Sequence, residues 1–246
     1  MTGLDVEAEV KRQLAEVLEK IRKIPKGKKV YEGSEGLCFA RDHFYWYDKD
    51  FNPISTPDKI RGGIECYRTD ITSLEGSPRV VEGDFSCSFR NITSLVGAPQ
   101  IVNGLFDCSH TKITSLKDSP TEVKNYFDCS YTNITSLEGC PKKVGGSFYC
   151  RRTKITSLEG IPRTIHGTVD CSYTKMTSLE GSPESVMDLF KFGSTDLTSL
   201  EGAPKNVGYR LIGVGCDNLE SLKGAPAKVK NNDVSFFDTN LDEILE

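Results

Sequence analysis

One phrase recurs along this chain at a fixed interval, and it constrains the fold more than any other feature. FDCSHTKITSL at residues 106–116 returns as FDCSYTNITSL at 127–137, and degenerate copies continue to the C-terminal end. Full units open at Ile71, Ile92, Ile113, Ile134, Ile155, Met176, Leu197 and Leu219, and Leu241 opens a truncated ninth. The spacing is 21 residues until the last two steps, which take 22. The consensus is ITSLEGxPxxVxGxFxCSxTx. A unit this short cannot enclose a core alone, so it must stack on its neighbours, and the expectation is a solenoid.

Comparing the units column by column shows which positions face inward. Phe85, Phe106, Phe127, Phe148, Val169 and Phe190 stand two residues before a second apolar column. That alternation makes F-x-C a short strand, one per coil, in a parallel ladder. Ile, Met or Leu at the first consensus position and Leu at the fourth complete each core layer. A proline recurs at 78, 99, 120, 141, 162, 183, 204 and 226, usually two residues after a glycine. Proline fixes φ and donates no ladder bond, so each coil has a turn there.

Nine cysteines would ordinarily suggest disulfides or a metal. Five of them, Cys87, Cys108, Cys129, Cys150 and Cys171, occupy one repeat column, and Cys66 extends it upstream. The same slot next holds Phe192 and, counted by repeat length, Val214 and Phe236. A position that accepts Cys, Phe or Val is an apolar core position, and no CxxC pair offers a zinc site. The expectation is a ladder of reduced, buried thiols, although stacked strands bring Cα atoms within disulfide range. Cys140 lies off the ladder in a Gly-Cys-Pro turn, where it either lines the turn or is exposed.

The first 49 residues differ and are assigned to an N-terminal cap, with the solenoid over 50–246. Val6, Val10, Leu14, Val17, Leu18, Ile21 and Ile24 form one stripe of an amphipathic helix over 5–24, ended by Pro25 and Gly27. The bases Arg22, Lys23, Lys26, Lys28 and Lys29 read as a solvated helix end, with an anionic partner as the alternative. Residues 30–54 are dense in aromatics and hold the only Trp; two short strands about a turn at Arg41–His43 make a hairpin that covers the first exposed core layer. LDEILE at the C-terminus is expected to close the last layer.

With the columns aligned, Phe106, Cys108, Ile113 and Leu116 fall in the leucine slots of LxLxxNxLxxL, and Thr111 in the asparagine slot. The next unit repeats this with Phe127, Cys129, Thr132, Ile134 and Leu137. The chain therefore resembles short-period bacterial-type leucine-rich repeats, and its phrase TSLEGxP…GxFxCS is most similar to repeat proteins of large tailed bacteriophages. The resemblance covers about residues 50–246 and implies a leucine-rich-repeat-like solenoid, mainly β, with the helix and hairpin as its cap. It does not imply a role, because such scaffolds serve many. Threonine replaces the family asparagine at 69, 111, 132, 153, 174 and 195, and Arg90 and Asp217 interrupt even that column. A flatter β-solenoid is the competing architecture.

A formal charge of −4 disfavours nucleic acid as partner. No apolar run is long enough to span a membrane, and the charged N-terminus is unlike a signal peptide. The expected location is cytoplasmic, that of the host cell if the chain is phage-encoded, with a virus particle as the alternative. Three columns flanking the core strand are expected to face solvent. The first runs Glu65, Ser86, Asp107, Asp128, Tyr149, Asp170, Lys191. The second runs Tyr67, Ser88, Ser109, Ser130, Arg151, Ser172, Gly193, and the third Arg68, Phe89, His110, Tyr131, Arg152, Tyr173, Ser194. Core columns hardly vary, whereas these drift toward Tyr, Arg, Asp and His, the currency of protein interfaces. The partner-binding candidates are Asp107, Asp128, Tyr149, Asp170, Phe89, His110, Tyr131, Arg151, Arg152 and Tyr173; the other reading is stacking that supports the sheet. Neighbouring acids in one column are the only enzyme-like feature. No nucleophile elbow, phosphate loop or HExxH accompanies them, and the three histidines are scattered. The expectation is a non-enzymatic protein-binding module without a cofactor or metal, the alternative a structural component of a particle.

Overall fold

The computed structural model describes residues 11–16, 18, 26–230 and 233–236. Over the repeats it is a parallel β-solenoid. The F-x dipeptides form one nine-stranded parallel sheet from Ile64–Glu65 to Val234–Ser235. Pairing joins equivalent residues of successive coils, as in Phe106↔Phe127↔Phe148. Since every coil places the same residue type at the same height, the inward columns stack on themselves. Phe85, Phe106 and Phe127 lie face on face with centroids 5.5 and 5.8 Å apart and planes 6° from parallel.

Each coil also contributes a second two-residue strand around the consensus valine, which the sequence did not announce. Lys59–Ile60, Val80–Val81, Ile101–Val102, Glu122–Val123 and Lys143–Val144 make a five-stranded sheet. Thr164–Ile165 begins a separate four-stranded one that ends at Lys228–Val229. The interruption falls where the turn position that holds Ser77, Ala98 or Ser119 elsewhere holds the larger Cys140 and then Ile161, both buried.

The cysteine expectation holds. All nine are free and buried, and the thiols of Cys108, Cys129 and Cys171 bond onward to the next coil, as Cys108 Sγ does to the Asp128 carbonyl at 3.3 Å. Cys140 also lines its turn, donating to the Gly160 carbonyl at 3.1 Å. One register needs correction. Phe190 pairs with Leu211, so the slot after Phe192 belongs to Gly213 and not to Val214. A Cβ on Gly213 would stand 2.4 Å from the Phe192 ring and 3.0 Å from that of Phe236; the glycine is the hole into which two rings pack. The same shift puts Cys216, not Asp217, in the threonine column, 3.4 Å from the Thr195 hydroxyl. The extra residue therefore lies after Cys216, at Asp217–Asn218, before Leu219 resumes the core.

At the N-terminal end, Lys28–Gly33, Gly36–Ala40 and Phe44–Tyr47 form an antiparallel three-stranded meander, one strand more than the aromatic pattern indicated. The turn between the last two strands is at Arg41–His43, as expected. Tyr31, Cys38, Ala40, Phe44 and Trp46 join the solenoid core. Phe44 meets Phe85 edge-on at 6.1 Å, and Trp46 Nε1 donates to the Gly76 carbonyl at 2.8 Å. The open end of the first coils is thus covered by rings and backbone bonds together. Residues 11–16 and 18 are helical and exposed; most of the expected 5–24 helix, and the LDEILE closure, lie outside the described residues.

Candidate interaction surface

After each F-x-C strand the chain turns through the tetrapeptide C-S-x-T. The threonine column fixes this turn: the hydroxyls of Thr69, Thr111, Thr132, Thr153, Thr174 and Thr195 each donate to the carbonyl three residues earlier, at 2.7–2.8 Å. These threonines are buried, so the one hydroxyl satisfies a carbonyl that water cannot reach. Arg90, where the column breaks, instead grips the Thr69 carbonyl of the coil below with Nη1 at 2.7 Å.

The turn forces the residue before the threonine into the left-handed region. Arg68, Phe89, His110, Tyr131, Arg152, Tyr173 and Ser194 have φ between 53° and 59°, and Gly215 continues the row at 70°. For a non-glycine residue this conformation costs about 1 kcal/mol. Glycine is the unstrained choice, yet six of these positions carry a long or aromatic side chain. What the row gains in return is visible. Phe89, His110 and Tyr131 stack with centroids 4.1 Å apart and planes within 14° of parallel. The Arg152 guanidinium continues the pile, 5.6 Å from the Tyr131 centroid and 4.5 Å from that of Tyr173. Arg151 leans on the same two rings. The planar groups match the coil spacing, so one rigid stripe runs across five coils. It remains open to solvent: Phe89 is 62%, Tyr173 48% and Tyr131 38% exposed.

The three columns expected to face solvent are not equivalent. The stacked row is outward. The serine column is largely withdrawn, with Ser109 and Ser130 buried. The aspartate column is half-buried, and Asp170 is fully so. These carboxylates fold back on their own turns: Asp107, Asp128 and Asp170 accept the backbone N–H two residues on, at 2.9, 2.8 and 3.1 Å. Burial pushes Asp128 up to about 6, against the opposing pull of its bonds to Ser130. Tyr149 stands among them, half-buried, with its ring edge-on to Tyr126 at 5.7 Å. His43 and His166 lie elsewhere: His43 is in the hairpin, its ring tilted 31° against that of Tyr45 at 4.2 Å, and His166 follows Thr164–Ile165 on another side of the coil.

The structure adds a fourth column to the surface. The residue after each buried threonine runs Asp70, Asn91, Lys112, Asn133, Lys154, Lys175, Asp196. Between it and the stack lies a shallow groove of about 560 Å³ lined by Phe89, His110, Tyr131, Thr132, Asn133, Arg152 and Lys154. The run of Lys and Asn one place past the threonine was the signal in the sequence. That signal is faint because it falls outside the strand.

The ladder thiols Cys87, Cys108, Cys129, Cys150 and Cys171 are raised well above the usual thiol range by burial, so they stay protonated. No group of three His, Cys, Asp or Glu able to hold a metal occurs among the described residues, and no helix there is long and apolar enough to cross a membrane. Comparison with protein-family models, with curated proteins and with solved structures finds no match to this chain.

Proposed function

We propose that this protein is a non-enzymatic binding module that grips a protein partner along the stripe Phe89–His110–Tyr131–Arg152–Tyr173. The observation that carries the proposal is the combination of left-handed backbone, bulky planar side chains and exposure in one row. A row that served only the turn would favour glycine, as Gly215 illustrates. A row that served only the sheet would bury its rings, whereas Phe89 keeps most of its surface in water. Tyr and Arg held rigid before binding lose little entropy when a partner arrives, which is why such groups dominate interface energetics. In this reading the leucine-rich-repeat-like phrase and its similarity to phage repeat proteins make a host or phage protein the partner, bound in the cytoplasm. A structural place in a phage particle is the second reading, and the fixed pitch of a rigid solenoid favours it.

The test is an affinity capture from host lysate with wild type and with Tyr131→Ala plus Arg152→Ala, read by mass spectrometry. The variant must first show wild-type circular dichroism; loss of the stack is expected to cost about 1–2 kcal/mol, well short of a core truncation. A protein held by wild type and lost by the variant supports the module. Identical capture by both excludes this stripe, and co-sedimentation of the chain with phage particles supports the structural role.

A further inference from the structure

Charge along the stripe is unlike charge over the rest of the chain. From Phe89 to Lys175 the stacked row, the two columns that flank its turn and the column beyond it carry Arg90, Lys112, Arg151, Arg152, Lys154 and Lys175, and no acid. Yet the whole protein is acidic, at −4. Asp70 and Asp196 close the strip at its two ends, the latter 3.9 Å from Lys175. No carboxylate lines the groove. Neither Arg152 nor Lys154 has an ion-pair partner within 4 Å among the described residues. Asp107 and Asp128 lie on the strand side of the turn with Oδ1 committed to backbone. Arg151 Nε is buried and unpartnered. The groove therefore offers donors from His110, Tyr131, Asn133, Arg152 and Lys154, with nothing negative to answer them.

We infer that the groove beside the stack takes a short acidic segment of a protein partner, extended along the solenoid axis, with its carboxylates on Arg152 and Lys154. This inference rests on the proposed binding stripe and names what that stripe recognises. Five coils at the spacing of parallel strands span about 19 Å, the length of about six extended residues. Nucleic acid is the weaker candidate for two reasons. The inner rings are covered by each other at 4.1 Å, so bases find no faces on which to stack. A long polyanion would also meet the negative charge outside the strip, whereas a short acidic segment need not.

The probe is a fluorescent peptide of alternating Glu and Ser, compared by anisotropy with its Gln/Ser counterpart and with an oligothymidine, at low and high salt. The Glu peptide is expected to bind, to weaken about tenfold or more as salt rises, and to outbind both other ligands. Lys154→Glu, at an exposed position, and Arg152→Glu with Lys154→Glu are expected to weaken it by at least about tenfold, and Lys142→Glu, in another column, to leave it unchanged. No binding of the Glu peptide at low salt overturns the inference, as does equal binding by Lys154→Glu. Tighter binding of oligothymidine assigns the groove to nucleic acid instead. If lysate capture yields a partner sensitive to Tyr131 and Arg152 while the peptide does not bind, the stripe stands and the acidic specificity falls.

Discussion

At the scale of single residues, the recurring positions divide by what each atom does. The buried threonine hydroxyl closes a turn, the ladder cysteine fills a small core slot, and the aspartate caps the backbone beside it. Asp128 does this at a cost. Its folded-state value of about 6 lies above the roughly 3.9 of an unfolded aspartate. Between those values the native state binds the extra proton, so the contribution of Asp128 to stability is greatest below about pH 4, falls as pH rises to about 6, then levels. Asn at this position keeps an oxygen to accept the Ser130 N–H and removes the buried charge. Asp128→Asn is therefore expected to stabilise the protein by about 1–2 kcal/mol at pH 7.5 and to leave it nearly unchanged at pH 4, in paired denaturant titrations. A loss of stability at pH 7.5 would show that the carboxylate is held by attraction to Arg151 rather than strained by burial. Asp118 makes a second residue-scale case. It has φ of 65° in the turn column where Gly76, Gly97, Gly139 and Gly160 stand, also at positive φ. Asp118→Gly is expected to raise the thermal midpoint, a gain of about 0.5–1 kcal/mol.

At the scale of elements, the strand column F-x-C was legible because alternation and exact repetition coincide there. The x-V strand was not, since two residues are too few to show a period. The left-handed row was hidden for another reason. Bulky rings and Arg are poor signals of positive φ, so Phe89, His110 and Tyr131 could be read as an outward row but not as a strained one. Nor could repeat length say where an inserted residue sits. Counting by 22 put Val214 in the core, whereas packing puts Gly213 there, between the rings of Phe192 and Phe236. That arrangement predicts a sharp steric result. Gly213→Ala is expected to destabilise by about 1–3 kcal/mol, as overpacking does, because its Cβ meets the Phe192 ring at 2.4 Å. Val214→Ala, at a half-exposed position, should cost well under about 1 kcal/mol. Equal losses at the two sites would restore the register counted from repeat length.

At the scale of the whole molecule, the solenoid is close to one-dimensional: each coil touches its neighbours, and among the described residues the F-x sheet is the one long sheet that runs unbroken. Stability in such an array is a sum of coil and interface contributions, and cooperativity lasts only while the interfaces are stronger than the coils are weak. The second sheet is interrupted between Lys143–Val144 and Thr164–Ile165, so that junction lacks one of the two ladders that join the other coils and is the expected weak point of the array. A core truncation on one side of it tests this. Phe127 is fully buried between Phe106 and Phe148, and Phe127→Ala is expected to cost about 3–5 kcal/mol through lost burial and the cavity left behind. If the interfaces couple all coils, unfolding remains a single transition at a lower midpoint. If the junction at Ile161 divides the array, the coils from Lys59 to Val144 melt first. Amide hydrogen exchange would then show protection lost at Cys108 and Cys129 while Phe190 and Phe192 keep theirs. The second outcome is the expected one, because the junction keeps the F-x ladder and the turn bonds Gly167 N–H to Gly146 and Arg152 N–H to Ser172 but lacks the second sheet. It would also place the Phe89–His110–Tyr131 half of the stripe and the Tyr173 end on opposite sides of a hinge, with Arg152 spanning it. Restoring a small turn residue with Ile161→Ser should then merge the two transitions, and two transitions that persist in that variant would remove Ile161 as the cause.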